Sequence, residues 1–326
     1  MLTSLKIRQL NNASAANQRA QLGTVLGNLQ PYGSEWYVDT FNGDDDNAGT
    51  AWGSAFATMG AAFDVLGTGD TIRFRGDVRE ELTGSNLVFD VTIIGEGSQH
   101  HPDLPSAAYD PGAAMWRPPA APTTATPLLI LRGRGWNFVN VVFDCPVDAA
   151  AVKIEVNALS GTSEYDGSHT TFDGCFFRQG QYGVELSGGG HNITWRNCKF
   201  FLMNNAGNTG AGIIQTSTSV ALGFENTVQN CIFVPTSSAG GNDRHIVAAW
   251  QACTIVDNIF GTVEGTAKYV DLTGGNDNVV TRNILGGAYD TDDYVAGTSD
   301  VWVGNYAPTT ATTAPYGLTV AAPAAP

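Results

Sequence analysis

One hexapeptide recurs through the chain and limits what it can fold into. Phe172–Phe177, Trp195–Phe200, Val228–Phe233 and Ile255–Phe260 share an apolar residue first, Cys or Asn fourth and Phe last. Phe138–Phe143 anticipates the pattern, and Val280–Leu285 and Trp302–Ala307 continue it with Asn283 and Asn305 at the fourth place. The final residues are separated by 22 to 34 positions, a period that means a stacked solenoid. Whole rungs also resemble one another, since Val184–Gly189 matches Val270–Gly275. The L-x-x-L-x-L frame of leucine-rich repeats is absent, as is a propeller blade of about 40 residues. A parallel β-helix remains, in which equal positions stack about 4.8 Å apart. One core column then contains Phe138, Phe172, Trp195, Val228, Ile255, Val280 and Trp302, and another Phe143, Phe177, Phe200, Phe233, Phe260 and Leu285. Cys175, Cys198, Cys231, Asn258, Asn283 and Asn305 form a third, structural ladder at an inward turn. There, Asn amides hydrogen-bond along the stack and Cys fills the same space as a small hydrophobe.

Composition agrees with many short strands. Only 14% of the 326 residues are charged while 39 are Gly, which suits strands and tight turns better than helices. The formal charge of -15 makes nucleic acid and anionic lipid poor partners. No apolar run approaches the roughly 20 residues that span a bilayer, so no membrane insertion is expected. Lys6, Arg8, Asn11, Asn12 and Gln18 interrupt any leader-like apolar stretch, which points to synthesis in a cytoplasm. Five cysteines without a C-x-x-C pair indicate buried, reduced thiols.

Residues 1–34 are set apart as an N-terminal arm. Leu22, Val25, Leu26 and Leu29 fall at i, i+3, i+4 and i+7, an amphipathic helical stripe that must bury itself on another surface. Glu35–Asp39, the turn Asn42–Thr50, a helix opening at Ser54 with Phe56, Met59, Phe63 and Leu66 on one face, and the strand start Gly69–Ile72 follow. This opening, over about residues 36–76, resembles that of pectate-lyase-like right-handed parallel β-helix proteins. The resemblance implies an all-β right-handed solenoid over 35–306, with the short helix as a plug at its N-terminal end. It says almost nothing about activity, because that superfamily includes lyases, hydrolases, adhesins and phage tailspikes. Seven of the 14 prolines lie between Pro102 and Pro127, marking an exposed insertion at 101–127. Residues 307–326 are an Ala/Thr/Pro-rich tail.

Few residues announce chemistry. Asp44-Asp45-Asp46-Asn47 lacks the spacing of a calcium loop and reads as a turn. His100-His101 has no further close ligands, so neither metal nor other cofactor is expected. Glycoside hydrolysis needs two carboxyl groups roughly 5 to 9.5 Å apart. Glu155 in Ile154-Glu155-Val156 and Glu185 in Val184-Glu185-Leu186 are the best candidates, outward-facing between inward apolar residues, with Gln215 and Asp271 further along the same face. Asp243-Arg244-His245 is a second cluster that a surface loop explains equally.

A short β-helix chain with a separate arm resembles phage virion spikes. That resemblance implies a non-enzymatic structural or receptor-facing virion component, a head decoration, head spike or tail fibre for host attachment. It would be a homotrimer, bound through its arm to other virion proteins. The alternative is a tailspike-type depolymerase, hydrolase or lyase, acting on bacterial surface polysaccharide.

Overall fold

The computed structural model describes residues 33–97, 114–120, 126–156, 165–203, 210–216, 222–234, 244–261, 269–286, 294–307 and 318–320. Residues Glu35–Pro326 form one compact unit. The arm with Leu22, Val25, Leu26 and Leu29, the histidines 100 and 101, and most of the Pro-rich insertion and C-terminal tail lie outside the described residues.

Each rung contributes up to four short strands, and equal strands of successive rungs pair in parallel. The first sheet runs from Glu35–Asp39 through Thr71–Arg75, Thr92–Gly95, Asn137–Val139, Thr171–Asp173 and Thr194–Arg196 to Val301–Val303. The second sheet begins at Gly76, where Thr71–Arg79 continues around the corner, and ends at Asn305–Ala307. The third sheet stacks eight strands, from Leu82–Thr83 through Ala150–Glu155, Tyr182–Ser187, Ala211–Gln215 and Arg244–Val247 to Tyr294–Val295. Leu318–Val320 alone pairs antiparallel, against Asn305–Ala307.

The core follows the register of the hexapeptide. Phe138, Phe172, Trp195, Val228, Ile255, Val280 and Trp302 are successive partners in the first sheet, all buried. Trp36, Ile72 and Ile93 extend this column backwards, and Val78 and Trp116 extend the one that holds Phe143 and Phe177. Neighbouring rings in the second column stack at 5.2, 4.8, 4.6 and 5.0 Å from Phe143 to Phe260, within the range favoured by aromatic pairs.

The chain must turn sharply between the first two sheets, and it does so at one residue per rung. Asn140, Gly174, Asn197, Asn230, Asp257, Arg282 and Gly304 all have φ between 52° and 67°. Asn, Asp and Gly tolerate this left-handed conformation best, which accounts for their frequency at the third hexapeptide position. The next residue points inward. The thiols of Cys175, Cys198 and Cys231 reach the carbonyls of Phe138, Phe172 and Trp195 at 3.4, 3.4 and 3.6 Å. The amides of Asn258, Asn283 and Asn305 donate to the equivalent carbonyls of Val228, Ile255 and Val280, each at 2.9 Å. Their Oδ1 atoms also accept the backbone N–H of the rung below, from Cys231, Asn258 and Asn283.

The fold is all-β, and the plug helix expected to open at Ser54 is not part of it. Ser54 closes a three-residue 3-10 turn, Trp52–Ser54, instead of opening a helix, and Phe56 bridges to Val38. The one α-helix among the described residues, α1, spans only Met59–Asp64. Its start is fixed by Thr58, whose hydroxyl accepts from Ala61 N, and by Glu80, whose carboxylate accepts from Met59 N and Gly60 N at 2.9 and 2.6 Å. Asp45 takes the N–H groups of Ala57 and Thr58, which ties the upstream segment to the Asp44–Asp46 turn. Those anchors hold residues 55–58 extended, so six residues are left for the helix and a plug cannot form.

Candidate functional site

Alternation along the third sheet decides which groups face outward. Val152 and Ile154, and Val184 and Leu186, are buried in the core, so Lys153, Glu155, Glu185 and Ser187 project from the outer face. Lys153 stands directly opposite Glu185, and Glu155 opposite Ser187. The Lys153 ammonium lies 3.8 Å from Glu155 Oε1 and 4.0 Å from Glu185 Oε1. Arg132 Nε donates to the other oxygen of Glu155 at 2.7 Å, and its guanidinium lies over the Tyr165 ring. Thr216 donates its hydroxyl hydrogen to Glu185 Oε1 at 2.8 Å. Both glutamate side chains are only 17% exposed, so these contacts are partly shielded from solvent screening.

A bulge adds two groups that simple alternation would bury. His245 N and Ile246 N both donate to Tyr269 O at 3.0 Å, and Gln181 N and Tyr182 N both donate to Ala149 O. Two consecutive residues therefore face the core in these strands, and the parity before them is reversed. Tyr182, Ala211 and Arg244 come into one register, with Tyr182 and Arg244 half-buried at the edge of the outer face. Glycine is needed inside the bulge, because a Cβ on Gly183 or Gly212 would come within 2.7 or 2.8 Å of the Phe200 or Phe233 ring. The aromatic ladder thus sets the backbone that aims Tyr182 and Arg244.

Both side chains have altered acidity. Burial, and then the negative charge of Glu185, push the Tyr182 phenol up, so it keeps its proton. Burial lowers the Arg244 guanidinium from its ordinary value, opposed by Tyr182 and Asp271. Arg244 Nε is buried and has no hydrogen-bond partner among the described residues.

The other sequence candidates are placed elsewhere. Asp271 lies in the Glu185 column, but Ile214 and Val247 intervene, so three rungs or about 14 Å of solenoid separate the two. Its Oδ1 accepts from Thr273 N and Oγ1 at 3.0 and 2.5 Å, a local turn. Gln215 pairs with inward Leu186 and is buried, so it is not on the face with the glutamates. Arg244 and His245 point to opposite sides of the sheet. The His245 ring is buried against Phe233, Phe260 and Tyr269, and its Nε2 donates to Gly261 O at 2.9 Å. Among the described residues no group of three or more His, Cys, Asp or Glu could hold a metal ion, and no helix is long and apolar enough to cross a membrane.

Tyr182 and Arg132 do not stand out in the sequence, and Arg244 does so only within the Asp243-Arg244-His245 cluster. Lys153 was legible from the Lys-Ile-Glu alternation. Tyr182 and Arg244 depend on the bulge, whose only trace is Gly183 and Gly212 one residue further on.

No family model and no curated protein matches the chain. Solved structures do. Pectate lyase Pel9A superposes with a TM-score of 0.53 at 14% identity, over 83% of this chain and 70% of that one. A mannuronic acid specific polysaccharide family 6 lyase from human gut microbiota superposes with a TM-score of 0.50 at 14% identity, over 83% of this chain and 59% of that one. Likeness at this identity establishes the fold, a right-handed parallel β-helix of the pectate-lyase-like type. It also corrects the expectation of a non-enzymatic virion component. Both of these solved structures are carbohydrate-active enzymes, and neither ties the chain to a phage particle, a capsid or a homotrimer.

Proposed function

We propose that the chain is a polysaccharide-cleaving enzyme that holds its glycan along the outer face of the third sheet and hydrolyses a glycosidic bond there. The observation that carries this reading is the pair Glu155 and Glu185. Both lie within 4.0 Å of one ammonium, so their nearest oxygens are at most about 8 Å apart, which does not exceed the upper limit of the separations that glycoside hydrolysis uses. In this reading one carboxylate takes the proton of the attacking water, and Lys153, Arg132 and Thr216 hold the two carboxylates in place. The other carboxyl group, in its protonated form, gives its proton to the leaving oxygen, and Tyr182, which keeps its proton, is a hydrogen-bond donor beside them.

A second reading, elimination, is suggested by the two lyases that share the fold. The two differ in product. Incubating the protein with a panel of purified bacterial surface and plant cell-wall polysaccharides should release reducing ends without the ultraviolet absorbance of a new carbon–carbon double bond. Such absorbance would establish elimination instead. Cleavage of no glycan in the panel would contradict both readings.

A further inference from the structure

A cavity lies away from the paired glutamates, between α1 and the first strand of the third sheet, and encloses about 240 Å³. Phe63, Leu66, Leu82 and Val88 line it with apolar surface, while Asp64, Thr83 and Ser85 bring polar groups. These three polar residues are exposed, and Asp64 is the only charged one in the lining.

The cavity is preformed, because its walls are fixed from behind. Glu80 holds the start of α1 through Met59 N and Gly60 N, and the Phe63 ring packs against Trp116 and Trp136 at 6.2 and 5.7 Å. A Cβ on Gly84 would come within 2.9 Å of the Trp136 ring, so the segment joining Thr83 to Ser85 is pressed onto that ring. Ser85 Oγ accepts from Leu87 N at 3.2 Å, which leaves its hydroxyl hydrogen for another acceptor.

The lining specifies the ligand. An apolar floor with one aromatic ring suits the C–H face of a pyranose, and the Thr83 and Ser85 hydroxyls and the Asp64 carboxylate suit the hydroxyl groups at its edge. The carboxylate repels an acidic sugar, so the ring it takes is neutral. The volume falls below the roughly 300–1,000 Å³ of sites for drug-sized ligands, which limits it to one sugar.

Position gives the cavity its role. Thr83 heads the column that continues through Ile130 and Lys153 to Glu185. Three rung steps, about 14 Å, separate Thr83 from Glu185. Among the described residues no strand precedes Leu82–Thr83 in that sheet, and α1 stands against it, since a Cβ on Gly60 would lie 4.0 Å from Leu82 Cδ2. A glycan lying along the third face toward this end therefore stops at the cavity.

We infer that the cavity is a terminal subsite for one neutral sugar, which makes the enzyme exo-acting: it takes the glycan by its end and releases a short oligosaccharide of fixed length. The inference rests on the reading of the third sheet as a glycan-cleaving face.

Binding to the full chain is measured by ligand-observed NMR with the methyl glycosides of galactose, mannose and rhamnose, and with that of galacturonate as the acidic counterpart. At least one neutral glycoside should bind, and the acidic one should not. Ser85→Trp, which places an indole in the cavity from an exposed position, should weaken the neutral glycoside by about tenfold or more. Asp64→Asn, a milder change that guards against misfolding of the Trp variant, should keep neutral binding and admit the acidic glycoside. On whichever polysaccharide the unmodified chain degrades, one short oligosaccharide should appear from the first time point, and Ser85→Trp should broaden the products. No binding of any neutral glycoside, undiminished binding in a folded Ser85→Trp protein, equal binding of acidic and neutral glycosides, or products of random length would overturn the inference. Binding as expected by a chain that cleaves no glycan would refute the proposed hydrolysis and with it the exo action, while the sugar site stands. Cleavage at random positions without binding in the cavity would do the reverse.

Discussion

Two polar columns run along this solenoid, and they spend their hydrogen bonds differently. At the corner between the first and second sheets, Asn258, Asn283 and Asn305 are buried, and each amide is matched to both a carbonyl and a backbone N–H of the rung below. On the outer face of the third sheet, Glu155, Glu185, Lys153 and Arg244 are partly buried, and Arg244 Nε has no hydrogen-bond partner among the described residues. The corner is polar chemistry turned inward for stability. The third face is polar chemistry left available to a ligand, and such unspent groups mark function.

That contrast predicts that substitutions in the core and corner change stability, whereas those on the third face change activity. The largest stability effect should come from Trp195→Ala, at about 3–5 kcal/mol for deleting a fully buried aromatic from its column. Chemical denaturation would measure it, and a loss below about 1 kcal/mol would mean the column is not continuous. Asn283→Ala should cost about 2–3 kcal/mol, since it strands the Asn258 N–H and the Ile255 carbonyl in the core. Cys198→Ala, at the same ladder position three rungs earlier, should cost only about 1 kcal/mol, because a thiol is a weak donor. Equal losses for the two would erase the distinction between the amide and thiol halves of the ladder. A smaller effect concerns His245, held by burial at about 4 against roughly 6.5 in an unfolded chain. Its folded value is depressed, so unfolding takes up a proton in acid. Its share of stability is present above about pH 6.5 and is lost as pH falls through about 4. His245→Phe should flatten the stability profile across that window, and an unchanged slope would show that other groups set it.

The corner and core were the legible part. A hexapeptide with a fixed aromatic and a Cys or Asn announces itself because every rung repeats the same packing problem, and Phe177, Phe200 and Phe233 solve it identically. A second inward ladder went unseen. Asn226, Cys253 and Asn278 line the preceding corner, where Asn226 Oδ1 accepts from Ile193 N and Asn278 Oδ1 from Cys253 N. Its members precede the repeat by two residues and vary too much to be read as a column. The plug helix failed for a different reason. The apolar spacing of Phe56, Met59, Phe63 and Leu66 suits a helix, but Asp45 takes the N–H groups of Ala57 and Thr58, and Glu80 accepts from Met59 N and Gly60 N, so the helix starts only at Met59. On the third face, Glu155 and Glu185 follow strand alternation and could be read. Tyr182, and the place of Arg244 outside the Asp243-Arg244-His245 cluster, could not, because both depend on a bulge packed against rings of the second sheet.

The central claim is that the third face cleaves a glycan, and Glu185→Gln tests it most directly. The substitution preserves shape and the Thr216 hydrogen bond while removing the charge next to Lys153. Rates of glycan cleavage and thermal melts of the two proteins should be measured side by side, on whichever polysaccharide the unmodified chain degrades. The account predicts a loss of cleavage of about 10²- to 10⁴-fold with little change in melting temperature. Undiminished cleavage by a folded Glu185→Gln protein would contradict it and move the active site off the third sheet's paired carboxylates.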